Sequence, residues 1–106
     1  MKRDMDLARK ILLAVEEKDE HVIPFVPDID GYDKNQINYH IQLLGQAGLV
    51  DTKSHSNLSG GTKWMVKSLT FAGHDFLDNA RNDTIWNKAK ESIKSKGLSL
   101  TFVVVK

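Results

Sequence analysis

Amide side chains recur along one face of the helix that the sequence predicts over residues 33–47. Asn35, Asn38 and Gln42 lie opposite its apolar residues at about 100° per residue, and Tyr39 lies among them. Asparagine and glutamine amides can each make two hydrogen bonds to an adenine edge in the major groove, worth about 1–3 kcal/mol of discrimination for a good pair. A tyrosine hydroxyl can contact a phosphate. These residue types permit base recognition, and they equally suit an ordinary solvated helix face.

Lysines are the second group of side chains whose chemistry suits DNA. Lys34 begins the same helix, and Lys53, Lys63 and Lys67 follow in two strand-like runs, within residues 53–74 that contain no acidic side chain. Lysine ammonium groups neutralise phosphates, which supplies most of the affinity of non-specific DNA binding. The three later lysines fit this role and a plain solvated hairpin equally well.

The surroundings of the amide-rich helix are acidic. Residues 19–52 contain six acidic side chains and a single lysine, a net charge of −5. Because such a surface repels phosphates, two functional hypotheses remain. The first is a non-enzymatic DNA-binding or transcription-regulatory protein with double-stranded DNA as its partner. The second is a protein–protein interaction module that does not bind DNA, whose partner is a second copy of the chain or another protein.

Two segments with helical spacing of apolar residues must position these side chains. The first is predicted over about residues 5–18 with Asp4 as its N-cap. The second has Asp33 as its N-cap and ends near Ala47, where Gly48 suits a left-handed C-terminal cap. The predicted core positions of the two helices are Leu7, Ile11, Leu12, Val15, Ile37, Ile41 and Leu44, with His40 at their edge as a packing residue.

The connections between the elements have distinct compositions. Residues 19–31 contain two prolines and several β-branched residues, so an extended segment at Val22–Phe25 and a loop are expected there rather than a helix. The strand-like runs extend from Leu49 to about Ser54 and from Lys63 to Leu69, with HSNLSGG between them. Gly60 and Gly61 can take positive φ angles, so the two runs predict a β-hairpin.

The C-terminal third predicts further helices. Thr70 can cap a helix carrying Phe71, Phe76, Leu77 and Ala80. A final helix is predicted from Asp83 to Gly97, with Ile85, Trp86, Ala89 and Ile93 facing inward, and the tail after it is strand-like by propensity. Trp86 and the apolar tail with Phe102 also offer adhesive surface, so self-association as a homodimer through these residues is expected.

Composition limits the classes of function. The chain has 106 residues, enough for one domain, and no cysteine, which excludes disulfides and thiolate metal sites. Its histidines are scattered without ligand spacing and no nucleophile has an evident base beside it. We therefore expect no enzyme activity, metal, cofactor or small-molecule ligand. The N-terminus lacks a long apolar run, so neither a signal peptide nor a membrane span is expected, and the location expected is the cytoplasm.

Parts of the sequence resemble known proteins. INYHIQLLGQAGLV is similar to the passage from recognition helix to wing in winged-helix regulators, and LTFAGHDFLD is similar to the segment after their wing. With their spacing, MKRDMDLARKILLAVEE, YDKNQINYHIQLLGQAGLV and LTFAGHDFLDNARNDTIWNKAKE resemble a prophage-associated bacterial family catalogued as a domain of unknown function. The resemblance covers nearly the whole chain and implies a fold rather than an activity.

The expected fold class is therefore α+β, as a single winged-helix-like domain over residues 1–106. Its expected parts are a helix, an extended segment, a recognition-type helix and a β-hairpin wing, followed by a helical extension over residues 70–97 and a tail over residues 98–106. A complete helix-turn-helix has a scaffold helix directly before the recognition helix. IPFVPDIDG occupies that position here and leaves room for one short turn.

Overall fold

A computed structural model describes residues 1–18, 23–58, 60–82, 84–88 and 91. The fold is a small α+β arrangement in the order α1 (Met5–Glu17), α2 (Lys34–Gln46), β1 (Val50–Ser56), β2 (Thr62–Leu69) and α3 (Phe71–Ala80). Residues 84–88 are also helical. Among the described residues, no helix has the length and apolar character needed to cross a membrane.

Helix α1 begins where the sequence predicts it, at the Asp4 cap. The Asp4 carboxylate accepts hydrogen bonds from the backbone N–H groups of Asp6 at 2.9 Å and Leu7 at 3.2 Å. These are donors that the first helical turn leaves without an intrahelical partner. The apolar face that follows is fully buried at Leu7 and Ile11 and forms one wall of the core.

Helix α2 has the reciprocal cap that its first residues allow. The Asp33 carboxylate accepts the Gln36 N–H at 2.8 Å, and the Gln36 side chain accepts the Asp33 N–H at 3.0 Å. At the other end, Gly48 has a φ of 77°, as predicted for the left-handed position. Burial is confirmed for every predicted core position of the first two helices, which are Leu7, Ile11, Leu12, Val15, Ile37, Ile41 and Leu44. Leu49, directly before the hairpin, is buried with them.

His40 joins the two helices from inside the core. It is 2 % exposed, its Nε2 accepts the backbone N–H of Asp4 at 2.7 Å, and its Nδ1 lies 2.8 Å from the carbonyl oxygen of Gln36. A backbone amide can only donate and a carbonyl can only accept, so the ring is the neutral tautomer with its proton on Nδ1. The prediction that His40 is a packing residue is confirmed.

The hairpin is antiparallel, with Val50 opposite Leu69 and Ser56 opposite Thr62. It is slightly longer at its tip than the sequence predicts, and Gly60 and Gly61 take positive φ angles of 88° and 119° as expected. The register shifts between Asp51 and Thr52, because their partners are Ser68 and Val66, and Lys67 is therefore the extra residue of a β-bulge.

The extended segment before α2 pairs with the outer edge of β2. Phe25 and Val66 exchange two backbone hydrogen bonds, at 3.0 and 2.8 Å, so β2 lies between β1 and a one-residue third strand. Between Phe25 and α2 the chain makes only a turn at residues 30–31. The expected absence of a scaffold helix therefore holds for the described residues 23–33.

Helix α3 packs closely against the start of the hairpin. Thr70 caps it, accepting the Gly73 N–H at 3.0 Å and donating its hydroxyl to the carbonyl of Gly48 at 2.6 Å. A Cβ atom at Gly73 would collide with the carbonyl oxygen of Leu49, so the close approach requires glycine. Phe76, Leu77 and Ala80 are buried as core residues, whereas Phe71 is 87 % exposed.

The region after α3 differs from two predictions. Trp86 is 2 % exposed and donates its indole N–H to the Asp6 carboxylate at 2.9 Å, so the expectation that it forms a self-association surface is wrong. Its ring fills the space beside α1 and α3, edge-on to Phe76. Ile85 is 55 % exposed and does not face inward. The predicted helix start at Asp83, the inward residues Ala89 and Ile93, Phe102 and the tail lie outside the described residues.

Arg9 and Arg81 connect α1 to the end of α3 through hydrogen bonds and an ion pair. Arg9 donates to the carbonyl oxygens of Ala80 at 2.6 Å and Arg81 at 2.9 Å, which are acceptors left free at a helix C-terminus. Arg81 in turn makes a two-point ion pair with Glu16, with both N–O distances 2.8 Å. This guanidinium lowers the pKa of the Glu16 carboxyl from its ordinary value of 4.5.

Candidate nucleic-acid interface

An open polar stripe runs along α2 on the side opposite its buried residues. Asn35, Tyr39, Gln42 and Gln46 follow one another at helical spacing, with Asn35 and Gln46 exposed and the two between them half-buried. The Tyr39 ring meets the ring of His40 edge-on at a centroid distance of 5.6 Å. Two of the predicted base-contacting residues, Asn35 and Gln42, therefore share one continuous helical surface with Tyr39, the predicted phosphate contact.

Asn38 has a different environment from the other amides. Its carbonyl oxygen accepts the backbone N–H of Trp64 at 2.7 Å, and its NH₂ group donates to the backbone carbonyl of Thr62 at 3.0 Å. The side chain thus pairs with the edge of β2 as a strand backbone would, next to the bridge made by Phe25. Reading a base would require breaking both bonds, so we remove Asn38 from the predicted base contacts.

The three predicted phosphate-contacting lysines of the hairpin share its outward face. Opposite residues of an antiparallel pair lie on the same side of the sheet, and Lys53 lies opposite Met65 while His55 lies opposite Lys63. The bulge places Lys67 after the buried Val66, and Lys67 is exposed. His55, expected in the turn, lies in β1 instead and adds an imidazole to this surface, which we call the wing face: Lys53, His55, Lys63 and Lys67.

A groove separates the first turn of α2 from the tip of the hairpin. It has a volume of about 730 Å³ and is lined by Val26, Pro27, Asp28, Lys34, Asn35, Ile37, Asn38, Asn57, Gly61, Thr62 and Lys63. The structure therefore brings Lys34, Asn35 and Lys63 to one concavity, although Lys63 is distant from the other two in sequence. Lys53 and Lys67 do not line the groove.

The sequence predicted four of the groove residues as site residues, Lys34, Asn35, Asn38 and Lys63, and did not single out the others, which include Asn57 and Asp28. Asn57 lies in the turn after β1, where its polar character is typical of turns and signals nothing further. Asp28 lies in the loop with two prolines before α2, and the sequence did not place this loop beside the helix. These two side chains lie beside the predicted site residues because the tip of the hairpin and the loop both lie next to the start of α2.

The acidic residues around α2 are not all directed at the predicted DNA surface. Asp33 is engaged as the helix cap. Asp51 lies at the base of the hairpin opposite Ser68, and it is the acidic residue on the same side of the sheet as the wing face. Asp28 lines the groove, and Asp30 is exposed in the loop before α2. Asp19 and Glu20 lie outside the described residues.

Comparison with known proteins gives the relationships of this chain. Residues 2–99 match the family described as "Hypothetical protein (DUF2513)". An "Uncharacterized protein" of Haemophilus influenzae is 41% identical over 107 residues, an alignment that covers 100% of this chain and 90% of the relative. No solved structure shows significant similarity. Since the family match spans most of the sequence, the chain belongs to the DUF2513 family.

Proposed function

We propose that this protein is a non-enzymatic DNA-binding protein with a transcription-regulatory role. The observation that carries the proposal is the fixed juxtaposition of two surfaces suited to DNA. The polar stripe of α2 can contact base edges, and the wing face can contact phosphates. Asn38 joins the two elements through its hydrogen bonds to Thr62 and Trp64.

The order of the elements supports a winged-helix-like scaffold for this role. A helix, a short edge strand at Phe25, a second helix and a hairpin follow one another, and Phe25 pairs with β2 rather than β1. The described residues 23–33 directly before α2 contain no scaffold helix, and α2 is held by its contacts with α1 and the hairpin. On this proposal, the hairpin positions α2, as a scaffold helix positions the recognition helix in a complete helix-turn-helix.

Charge sets the expected strength of binding. Lys53, Lys63 and Lys67 form no ion pair with any described residue, so their charges are available to phosphates. Asp28, Asp30 and Asp51 offset part of this charge. We therefore expect binding on the order of micromolar at physiological salt, within the range of non-specific complexes.

The setting we propose is the bacterial cytoplasm, with a link to prophage genes. Its support is the resemblance of the three quoted segments to a prophage-associated family, together with the relative in Haemophilus influenzae. Regulators of this class commonly read two half-sites as symmetric dimers. A dimer of this chain would need a surface other than Trp86, which is buried.

A protein–protein interaction module on the same scaffold is the second candidate. The specific observation in its favour is Phe71, whose side chain is 87 % exposed at the start of α3. Leu58 at the hairpin tip is fully exposed as well. On this alternative the acidic loop before α2 excludes DNA, and the exposed apolar side chains contact a partner protein.

Titration of a fluorescent mixed-sequence duplex at low salt separates the candidates, because phosphate contacts are least screened there. We expect binding, and replacement of Lys53, Lys63 and Lys67 by alanine should weaken it on all sequences and reduce the salt slope by about one per lost contact. The matched control replaces Lys2, Arg3 and Lys88, which removes equal charge from outside the hairpin. If the wild-type protein binds no duplex even at low salt, the DNA proposal fails and the interaction module replaces it.

A further inference from the structure

The groove between α2 and the hairpin tip has the composition of a ligand site. Its volume of about 730 Å³ lies within the roughly 300–1,000 Å³ usual for small-molecule sites. Its lining combines apolar side chains from the loop and the buried face of α2, which are Val26, Pro27 and Ile37, with cations from two separate elements. The packing of a helix against a hairpin does not require lysines at these positions.

The charged side chains of the groove are not used within the protein. The side chains of Lys34, Lys63, Asp28 and Asn35 make no hydrogen bond or ion pair with any residue in the described ranges. Asn38, by contrast, bonds to β2 through both its carbonyl oxygen and its NH₂ group and forms part of the wall. The groove is thus lined by two lysines, an aspartate and an asparagine whose side chains have no partner among the described residues, beside apolar residues.

We infer that this groove binds a single nucleotide unit. The phosphate matches the ammonium groups of Lys34 and Lys63. The planar base matches the apolar wall, and its N–H donors match the Asp28 carboxylate, which accepts hydrogen bonds only. A simple anion would use the lysines and leave Asp28 as a repulsive neighbour, so the carboxylate favours a ligand that also carries donors.

The nucleotide unit can come from either of two sources, a free nucleotide or a nucleotide of a bound strand. The site shares Asn35 and Lys63 with the proposed DNA surface and has Lys34 beside them, but it requires no duplex. A free nucleotide held there would contact both α2 and the hairpin, and so it would occupy the position where the proposed helix and wing surfaces meet.

The test is an NMR titration of the full ¹⁵N-labelled chain with guanosine 5′-monophosphate, whose base presents adjacent N–H donors to a carboxylate. We expect shifts at the backbone amides of Asn35, Gly61 and Lys63. The Lys34→Ala/Lys63→Ala double variant should weaken binding by at least about tenfold, because both phosphate partners are lost. Lys53→Ala/Lys67→Ala is the matched control, since these lysines lie outside the groove, and it should change binding by less than about twofold.

Comparison ligands decide the chemical class and the source. Ribose 5-phosphate and inorganic phosphate should bind more weakly than the nucleotide, and equal binding of the three would overturn the inference in favour of a simple anion site. Shifts of the same amides by a short single-stranded oligonucleotide, with none by the mononucleotide, would support the inference with the strand as source.

Failure of this inference and failure of the proposed function give different results. If neither the mononucleotide nor the oligonucleotide shifts the groove amides while duplex binding is retained, the groove inference is overturned and DNA binding stands. If the nucleotide binds at the groove and no duplex binds, the groove site stands and the proposed function is overturned. All four lysines are exposed, and thermal unfolding of each variant shows whether it retains the fold.

Discussion

The side chain of Asn38 accepts the backbone N–H of Trp64 at 2.7 Å, and this bond links α2 to the edge of β2 that faces away from β1. A second bond from the same amide to the Thr62 carbonyl completes the pairing at 3.0 Å. Backbone groups at a strand edge that lose their partners in a half-buried position are costly. The Asn38 side chain therefore contributes, together with the core packing of α2, to the position of the amide-bearing helix against the lysine-bearing hairpin.

Replacement of Asn38 by leucine should destabilise the fold by about 1–3 kcal/mol, because it leaves a backbone donor and acceptor without partners. Urea unfolding followed by circular dichroism measures the change. Asn35→Leu is the matched control on the exposed side of the same helix and should stay within about 0.5 kcal/mol of the wild type. Equal stability of the Asn38 and Asn35 variants would show that the link is dispensable.

Leu44 tests the core beneath α2. It is 1% exposed among residues of α1 and the hairpin, so Leu44→Ala should cost about 2–5 kcal/mol through lost burial and a cavity. The free energy of unfolding in urea is the measurement, and the exposed Gln46→Ala in the same helix is its control. A loss below about 0.5 kcal/mol, the range of surface substitutions, would contradict the position of Leu44 in the core.

Trp86 tests whether the region after α3 is part of the domain. Its indole N–H bonds to Asp6 and its ring packs on Phe76, so Trp86→Ala should destabilise by about 3–5 kcal/mol. Trp86→Phe keeps most of the packing and loses the hydrogen bond, and its effect should be smaller. Thermal unfolding ranks the variants. Sedimentation velocity provides the second measurement: loss of a dimer in Trp86→Phe without loss of stability would contradict the buried position.

The ion pair between Glu16 and Arg81 predicts an acid-sensitive part of the stability. Because folding lowers the Glu16 pKa below 4.5, its contribution is fully present above that value and is lost as the pH falls through the lower folded pKa. The pair is partly exposed, so the contribution is small and screened by salt. As the pH is lowered from about 6 to about 3, the free energy of unfolding should therefore decrease less in Glu16→Gln than in the wild type.

The neighbouring Glu17→Gln is the control for this measurement, because it removes the same charge from the same turn of α1. Glu17→Gln should lose stability at acid pH as the wild type does, whereas Glu16→Gln should not. Identical pH profiles for the wild type and Glu16→Gln would show that the ion pair with Arg81 does not contribute in solution.

The helices, their caps and the hairpin could be predicted from the sequence because local chemistry determines them. Asp4, Asp33 and Thr70 are short acceptor side chains placed immediately before apolar helical patterns, and each caps the helix expected. Gly48, Gly60 and Gly61 occupy backbone positions with positive φ, which residues with a Cβ rarely adopt. Such features depend on neighbours within a few residues.

The roles of Asn38 and Trp86 were decided by contacts between segments far apart in the chain. Asn38 lies on the polar face of α2 by helical periodicity, but β2 passes beside that face and engages its amide. Trp86 lies on the predicted inward side of its helix, but the sequence does not state that α1 is the element that covers it. The spacing of apolar residues along a helix or strand indicates which side of that element is polar. It does not indicate which other element packs against that side.

The candidate site likewise has features that follow from local sequence and features that follow from tertiary packing. The sequence by itself determined that lysines occupy the hairpin and amides the second helix, and the register then placed Lys53, Lys63 and Lys67 on one face. Only the tertiary structure decided that Lys34 and Asn35 share a groove with Lys63, Asn57 and Asp28. The physical reason is that a concave site forms between elements, and its shape follows from their packing angle rather than from the pattern within either one.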